Sequence, residues 1–193
     1  PDPEPAQFIR HEVRRHLDLV AAVGSQTEDE RLSVRIPTGA PERVRQLLEE
    51  RGVEWERPFI VIHPGVTAPS RQYPPLQFAQ AASQLAHAEG WQIVFTGSGY
   101  EDILVSLIQQ SMDAPSVSLV NALDLGELAA LLHMSALLIA NNTGPVHIAA
   151  AVGTPVVDLY ALTNPQHTPW AVPHRVLFHD VPCKFCFKST CPE

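Results

Sequence analysis

From Pro58 onward, short apolar runs alternate with stretches whose apolar residues recur at helical spacing. Runs that are apolar throughout are typical of strands buried on both faces of a parallel sheet. The predicted strands are FIVIH at 59–63, WQIVF at 91–95, residues 116–120, ALLIA at 136–140, VVDLY at 156–160 and RVLF at 175–178. Helices are predicted over 75–89, over 100–111, from the N-cap Asp124 to Met134, and from Pro145. This order predicts an α/β fold, a Rossmann-like, doubly wound parallel sheet with right-handed crossovers.

The charged residues divide the chain unequally. Residues 1–57 carry 21 charged side chains, whereas residues 58–193 carry only 13. The first part is therefore predicted to be a solvated lead-in. It contains a helix over 8–23, a short alternating strand over 32–36 and a helix over 41–51 that Gly52 ends. Residues 58–180 are predicted to form the sheet domain, and residues 181–193 a C-terminal tail that holds all three cysteines.

Composition excludes several classes of protein. Acidic residues outnumber basic ones 21 to 13, which gives a net charge of −8. Two lysines and eleven scattered arginines form no basic patch, so nucleic acid is not an expected partner. The longest apolar stretch, 128–140, is shorter than a membrane-spanning helix, and the opening PDPEPAQF lacks the pattern of a signal peptide. The expected location is the cytoplasm.

In an open parallel sheet, ligands bind beyond the carboxyl ends of the strands, so the loops after the predicted strands are the candidate sites. The first such loop is HPGVT at 63–67, which leads to Ser70 and Arg71. Gly65 permits a close approach of the backbone, Thr67 offers a hydroxyl, and Arg71 offers a fork of donors suited to phosphate. The alternative is an ordinary proline-rich loop with an exposed arginine.

The second loop, TGSGYE at 96–101, is similar to a dinucleotide-binding fingerprint. Position 102 is Asp where that fingerprint needs a third glycine, which argues against a site for NAD. Glu101 can accept hydrogen bonds from ribose hydroxyls. It can equally serve only to complement the dipole of the helix that follows.

The third loop, NNTGPVH at 141–147, is the most informative segment. An apolar strand leads into Thr143, Gly144 and an N1-type proline, so unpaired backbone N–H groups are expected at a helix N-terminus, where an anion binds well. His147 falls in the first turn of that helix. It is a candidate for the same site, or a histidine that only packs in the core.

The three cysteines follow the pattern Cys183-x2-Cys186-x4-Cys191. A Cys-x2-Cys pair can begin a zinc site, but the sequence offers no well-spaced fourth ligand. Free thiols or a truncated motif are the preferred interpretations, and no metal ion is expected.

Five segments together carry a resemblance to a known family. They are HPG at 63–65, R-x-Y-P-P-x-x-F at 71–78, TGSGYE at 96–101, NNTGPVHIAAAVGTPVVDLY at 141–160 and CKFCFKSTCPE at 183–193. They resemble glycosyltransferase family 9, the bacterial ADP-heptose:lipopolysaccharide heptosyltransferases, and the tail is most similar to the heptosyltransferase II branch. The resemblance is close over residues 58–193 and looser over 8–52, which it places as an interdomain segment.

The resemblance implies a GT-B fold of two Rossmann-like domains, of which this chain is the C-terminal, donor-binding half. It implies inverting transfer of heptose from ADP-heptose to a phosphorylated inner-core glycolipid, in the cytoplasm or at the periphery of the inner membrane, with no obligatory metal or other cofactor. The acceptor site and the catalytic base would belong to the N-terminal domain.

The resemblance also implies roles for individual residues. Thr67 and Arg71 would face the diphosphate, Glu101 would hold the ribose, and the backbone around Leu123 would meet adenine. The remaining donor-binding residues, which would surround the diphosphate and the sugar, are Asn142, Thr143, Gly144 and His147.

This sequence departs from the family pattern at three of these motif positions. Asn142 stands where the family usually has Asp, Arg71 where it has Lys, and Tyr73 where it has Trp. Two other functions therefore stay open at this stage: a catalytically silent nucleotide-binding module, and an NAD-dependent Rossmann oxidoreductase.

Overall fold

The structure is a computed structural model that describes residues 9–191. Six parallel strands form one sheet in the order β3-β2-β1-β4-β5-β6. The strands are β1 (Phe59–His63), β2 (Gln92–Phe95), β3 (Val117–Ser118), β4 (Leu137–Asn141), β5 (Val156–Leu159) and β6 (His174–Leu177). This is the strand order of the Rossmann fold. The predicted fold class and all six predicted strands of the sheet are confirmed, with shifts of one or two residues at most strand ends.

Helices cover both faces of the sheet, as doubly wound folds require. The helices are α1 (Glu12–Ala21), α2 (Ala40–Glu50), α3 (Pro75–Glu89), α4 (Asp102–Ser111), α5 (Leu125–Met134) and α6 (Gly144–Val152). Helices α2, α5 and α6 pack around one apolar core, and α3 and α4 around the other. The predicted N-cap Asp124 is confirmed, since its carboxylate accepts from the backbone N–H of Glu127 at 2.8 Å.

The lead-in differs from its prediction in two respects. Residues 32–36 form no strand, and within the described chain they pair with no other strand. The alternating apolar residues do not share one buried face, because Ile36 packs against the core whereas Val34 is exposed. Helix α2 is also not simply solvated: Val44 and Leu48 are fully buried in the core beneath the sheet. Phe8, the predicted first residue of the first helix, lies outside the described residues.

Among residues 9–191, no helix is both long and apolar enough to cross a membrane.

Candidate functional site

The chain reverses its direction of winding between β1 and β4. These two strands are neighbours, with His63 paired to Ala140, and their connections lead to opposite edges of the sheet. At such a reversal, the carboxyl ends of the two strands form the crevice that is the usual ligand site of a doubly wound sheet. Two of the three predicted site loops, HPGVT and NNTGPVH, begin at this crevice, and TGSGYE begins at the adjacent strand β2.

A cavity of about 270 Å³ lies on the β2 side of the crevice. One wall is polar, with His63, Thr96 and Glu101, and the other is built from leucines of the β3–α5 region. Those leucines are Leu119, Leu123, Leu125 and Leu128, and Asp124 lines the cavity beside them. The structure thus brings the predicted residues Glu101 and Leu123 together in one cavity, in which a flat apolar group and a hydroxyl-bearing group can both be accommodated.

The carboxylate of Glu101 is held in place from two sides. Its Oε2 accepts hydrogen bonds from the backbone N–H and the hydroxyl of Ser98, both at 2.5 Å. On the other side, a Cβ added to Gly65 would lie 2.5 Å from Oε1 of Glu101. A side chain at position 65 would therefore displace the carboxylate of Glu101, so Gly65 leaves room for that carboxylate at the cavity. Glu101 thus closes a capping box with Ser98 at the start of the 3-10 turn Gly99–Glu101, and these bonds fix its carboxylate at the cavity. Both predicted roles of Glu101, ribose binding and complementation of the helix dipole, stay predictions.

His63 lines the same cavity, and sequence reasoning did not single it out as a site residue. Its Nδ1 lies 3.1 Å from the hydroxyl of Thr96. Burial lowers the pKa of His63, and the nearby Glu101 opposes this only in part. His63 is therefore neutral near pH 7 and acts as a hydrogen-bonding group rather than as a cation.

Arg71 lies on the β4 side of the crevice, in a short 3-10 turn over Pro69–Arg71. Its Nη1 is 3.4 Å from the carbonyl oxygen of Asn142, and its guanidinium carbon lies 5.6 Å from the centre of the Tyr160 ring. Its Nε is buried and has no hydrogen-bond partner within residues 9–191. Arg71 therefore retains donor capacity next to the NNTGPVH loop. Thr67 is exposed on the same loop as Arg71.

The first turn of α6 provides the second positive feature on this side. Thr143 is the N-cap residue, and its side chain makes no capping hydrogen bond to the helix. Gly144 is exposed at the first helical position. A helix N-terminus carries about half a positive charge, which favours an anion at this point.

His147 lies in that first turn, and its ring centre is 6.4 Å from that of His167. The pKa of His147 is lowered, mainly by burial and further by the neighbouring His167, His11 and Arg71. Arg71 is placed near the same helix start through its contact with the carbonyl oxygen of Asn142. His147 is neutral near pH 7 and can donate or accept one hydrogen bond there.

Asn142 is buried, with 1% of its surface exposed. Its amide nitrogen donates to Oδ2 of Asp158 at 2.9 Å and to the carbonyl oxygen of His167 at 2.8 Å. The amide therefore links β4 to β5 and to the loop that follows β5. A contact between Asn142 and a donor sugar stays a prediction, and it would have to use the amide oxygen or the backbone.

Asp158 is a buried carboxylic acid in the apolar run VVDLY. It has no exposed surface, and among the described residues its Oδ1 has no hydrogen-bond partner. Burial raises its pKa from 3.8 to about 7, although Asn142, His174 and Arg71 act in the opposite direction. The signal that could have found it is a single ionisable residue inside an otherwise apolar strand.

Asn141 is a further residue that the sequence did not assign. It is fully buried, and its amide nitrogen donates to the carbonyl oxygen of Pro64 at 2.7 Å. Its Oδ1 accepts from the backbone N–H of Tyr73 at 3.1 Å. Asn141 therefore fixes both ends of the loop that carries Thr67 and Arg71.

All three cysteines are exposed and unpaired within the described chain. In that part of the chain, no group of three or more His, Cys, Asp or Glu side chains is placed to hold a metal ion.

Comparison with known proteins identifies the family. Glycosyltransferase family 9 (heptosyltransferase) matches residues 4–193, so the chain belongs to this family. Lipooligosaccharide heptosyltransferase 2 of Haemophilus influenzae is 28% identical over 138 residues, which are 69% of this chain and 40% of that protein. Lipopolysaccharide heptosyltransferase 3 of Escherichia coli is 29% identical over 155 residues, 79% of this chain and 45% of that protein. The chain thus spans less than half the length of these curated relatives.

Two solved structures share the fold. A glycosyl transferase family 9 protein from Veillonella parvula superposes with a TM-score of 0.84 at 24% identity, over 93% of this chain and 52% of that chain. The ADP-heptose lps heptosyltransferase II of E. coli superposes with a TM-score of 0.65 at 25% identity, over 75% of this chain and 44% of that chain. The resemblance inferred from the motifs is confirmed.

Proposed function

We propose that this chain is the donor-binding half of an inverting GT-B glycosyltransferase that acts in the assembly of lipopolysaccharide core or a related glycan. The donor is ADP-heptose or a similar nucleotide sugar, and the acceptor is a glycolipid that a second domain binds at the cytoplasmic side of the inner membrane. Support comes from membership of glycosyltransferase family 9 and from relatives named as lipopolysaccharide heptosyltransferases. The E. coli structure named for ADP-heptose supports the choice of donor.

One observation carries the proposal. Two chemically different regions adjoin at the switch point of the sheet: a leucine-walled cavity that contains Glu101, and a region where Arg71 meets the start of α6. A nucleoside suits the first, because its base is flat and largely apolar and its ribose has hydroxyls that a carboxylate accepts from. A diphosphate suits the second, because a guanidinium and a helix N-terminus both favour negative charge.

In this proposal, the residues around Arg71 stabilise the leaving group. The base of the other domain takes the proton of an acceptor hydroxyl while its oxygen attacks the anomeric carbon of the donor sugar. The bond from that carbon to the diphosphate oxygen breaks, and negative charge develops on the departing ADP. Arg71 and the N–H groups at the start of α6 are already oriented toward this charge, so they lower the barrier without reorganising. His63 and His147, both neutral near pH 7, add hydrogen bonds without adding charge.

The isolated chain should bind ADP but transfer no sugar, because its donor site is complete whereas the base and the acceptor site are assigned to another domain. Calorimetry with ADP, UDP, GDP and NAD measures the binding. A transfer assay with a nucleotide sugar and a core glycolipid measures the activity. Sugar transfer by the isolated chain would contradict the division into two halves.

Glu101 is expected to hold the ribose. The change Glu101→Ala should weaken ADP binding by about 1–2 kcal/mol, since a carboxylate that accepts from sugar hydroxyls makes charge-assisted bonds. The same change should weaken binding of 2′,3′-dideoxy-ADP much less. Because Glu101→Ala also removes the interaction with Ser98, Ser98→Ala is the matched control. Equal losses for both ligands would mean that Glu101 only supports the start of α4.

Two alternatives predict other results. A silent nucleotide-binding module is favoured by the commitment of the Asn142 amide to Asp158 and His167. It predicts that the complete protein binds ADP but does not turn over a nucleotide sugar. An NAD-dependent oxidoreductase is disfavoured because the glycine-rich loop Gly97–Gly99 follows β2, whereas a dinucleotide fingerprint follows the first strand of its unit. Tighter binding of NAD than of ADP would revive it.

A further inference from the structure

The C-terminal tail is hydrogen-bonded to the loop that carries Arg71. The backbone N–H of Ser70 donates to the carbonyl oxygen of Ser189 at 3.1 Å. The hydroxyl of Ser70 donates to the carbonyl oxygen of Lys188 at 3.0 Å. Ser70 directly precedes Arg71 in the 3-10 turn, so these two bonds hold the residue next to Arg71.

The same tail is also bonded to the loop after β5. The backbone N–H of Phe185 donates to the carbonyl oxygen of Leu162 at 3.0 Å, and that of Phe187 to the carbonyl oxygen of Thr163 at 2.8 Å. The loop after β5 continues to His167, whose carbonyl oxygen accepts a hydrogen bond from the amide of Asn142. The tail therefore connects two loops that lie on the β4 side of the candidate site.

Three residues where the tail meets the loop after β5 have uncommon backbone φ angles. Leu162, Phe185 and Phe187 have φ angles of 52°, 64° and 56°, in the left-handed region that side chains other than glycine rarely adopt. Such conformations cost free energy and persist where surrounding contacts impose them, often near functional sites. The hydrogen bonds from Phe185 and Phe187 are contacts of this kind.

We propose that residues 185–189 are a positioning segment that orients Arg71 toward the diphosphate of the donor. The proposal rests on the proposed function. Asn141 fixes the two ends of the Arg71 loop at Pro64 and Tyr73, and the tail fixes its middle at Ser70. A loop held at three points keeps the guanidinium in one place before the ligand arrives, and this reduces the entropy that binding would otherwise cost.

The test compares ADP with adenosine on the complete chain and on a chain that ends at Asp180. The shorter chain should bind ADP about tenfold more weakly, because the charge-assisted bonds of Arg71 weaken when its loop is free. Adenosine has no phosphates, and its affinity should not change. Arg71→Ala should reduce ADP affinity by a smaller factor in the shorter chain than in the complete chain. The shorter chain has already lost part of the contribution of Arg71 to ADP binding.

Ser70→Ala is a second variant that keeps the tail and removes only the bond to Lys188. It should weaken ADP binding about threefold and leave adenosine unchanged. If the shorter chain does not fold, Ser70→Ala alone tests whether the tail positions Arg71. The matched control replaces Cys183, Cys186 and Cys191 by serine. This control should bind ADP like the parent, because every tail group in the four hydrogen bonds belongs to the backbone.

Four results overturn the inference. Unchanged ADP affinity in both variants would show that the tail does not position Arg71. Equal losses for ADP and adenosine would show a merely structural role. A loss confined to the cysteine variant would assign the effect to thiol or metal chemistry. If the unmodified chain does not bind ADP, both the proposed function and this inference fail. If the unmodified chain binds ADP and the variants bind it equally well, only this inference fails.

Discussion

Replacing Arg71 by alanine should weaken ADP binding about tenfold to a hundredfold, or about 1.5–3 kcal/mol. The guanidinium supplies a full positive charge and a fork of donors, and within the described chain its Nε is buried without a partner. A diphosphate between Arg71 and the start of α6 would accept from the terminal guanidinium nitrogens, of which Nη1 makes only a long bond of 3.4 Å to the carbonyl oxygen of Asn142. Calorimetry at low salt measures the change, because screening weakens the interaction as salt rises.

Adenosine is the control ligand for this variant, since it should bind the parent and Arg71→Ala equally. Arg71→Lys is the matched control variant, because it keeps the charge and loses the planar fork. We expect its ADP affinity to lie between those of the parent and the alanine variant. Unchanged ADP affinity in Arg71→Ala would remove Arg71 from the site and leave only the helix N-terminus.

Asp158 should make the stability of the folded chain fall as pH rises from about 4 to about 7. Burial raises the pKa of Asp158 from 3.8 to about 7, so in this range the folded state binds a proton that the unfolded state has released. The contribution is fully present below the unfolded pKa and is lost as pH rises through the folded pKa. A shift of this size corresponds to about 4 kcal/mol in the free energy of unfolding.

The change Asp158→Asn keeps the shape of the side chain and removes the ionisation. Chemical denaturation at pH 4, 5.5, 7 and 8 should show the parent losing about 4 kcal/mol more than the variant over this range. Asp102→Asn is the control, because it removes an exposed carboxylate from the start of α4. Parallel pH profiles for parent and Asp158→Asn would show that the pKa of Asp158 is not raised in the folded chain.

The fold could be predicted from sequence because its signals are local. A run such as FIVIH at 59–63 is long enough and apolar enough to define a buried strand, and the structure places β1 at the same residues. Asp124 and Glu127 form the predicted helix start within four residues of chain. The strand predicted over 32–36 is absent because alternation alone cannot show whether a partner strand exists, and here Ile36 packs against the core while Val34 is exposed.

The convergence of the candidate loops on one edge of the sheet was predictable, but the bonds between these loops were not. Parallel strands bring the loops with Arg71 and Gly144 to one edge of the sheet, whatever the loop sequences are. The bonds from Asn141 to Pro64 and from Asn142 to Asp158 span 77 and 16 positions of the chain. No local pattern reports such pairs, because they depend on side-chain directions that only the packed sheet fixes.

The strand order has a consequence for how specificity can change in this family. The leucine wall of the cavity comes from the β3–α5 region, on one side of the switch point, whereas Arg71 and the start of α6 lie toward the other side. Under the proposed function, the nucleobase and the diphosphate are thus recognised by separate groups of elements. Substitutions at Leu123 or Leu128 can alter which base is accepted while the machinery that stabilises the leaving group stays intact, so new donors can arise without rebuilding the chemistry.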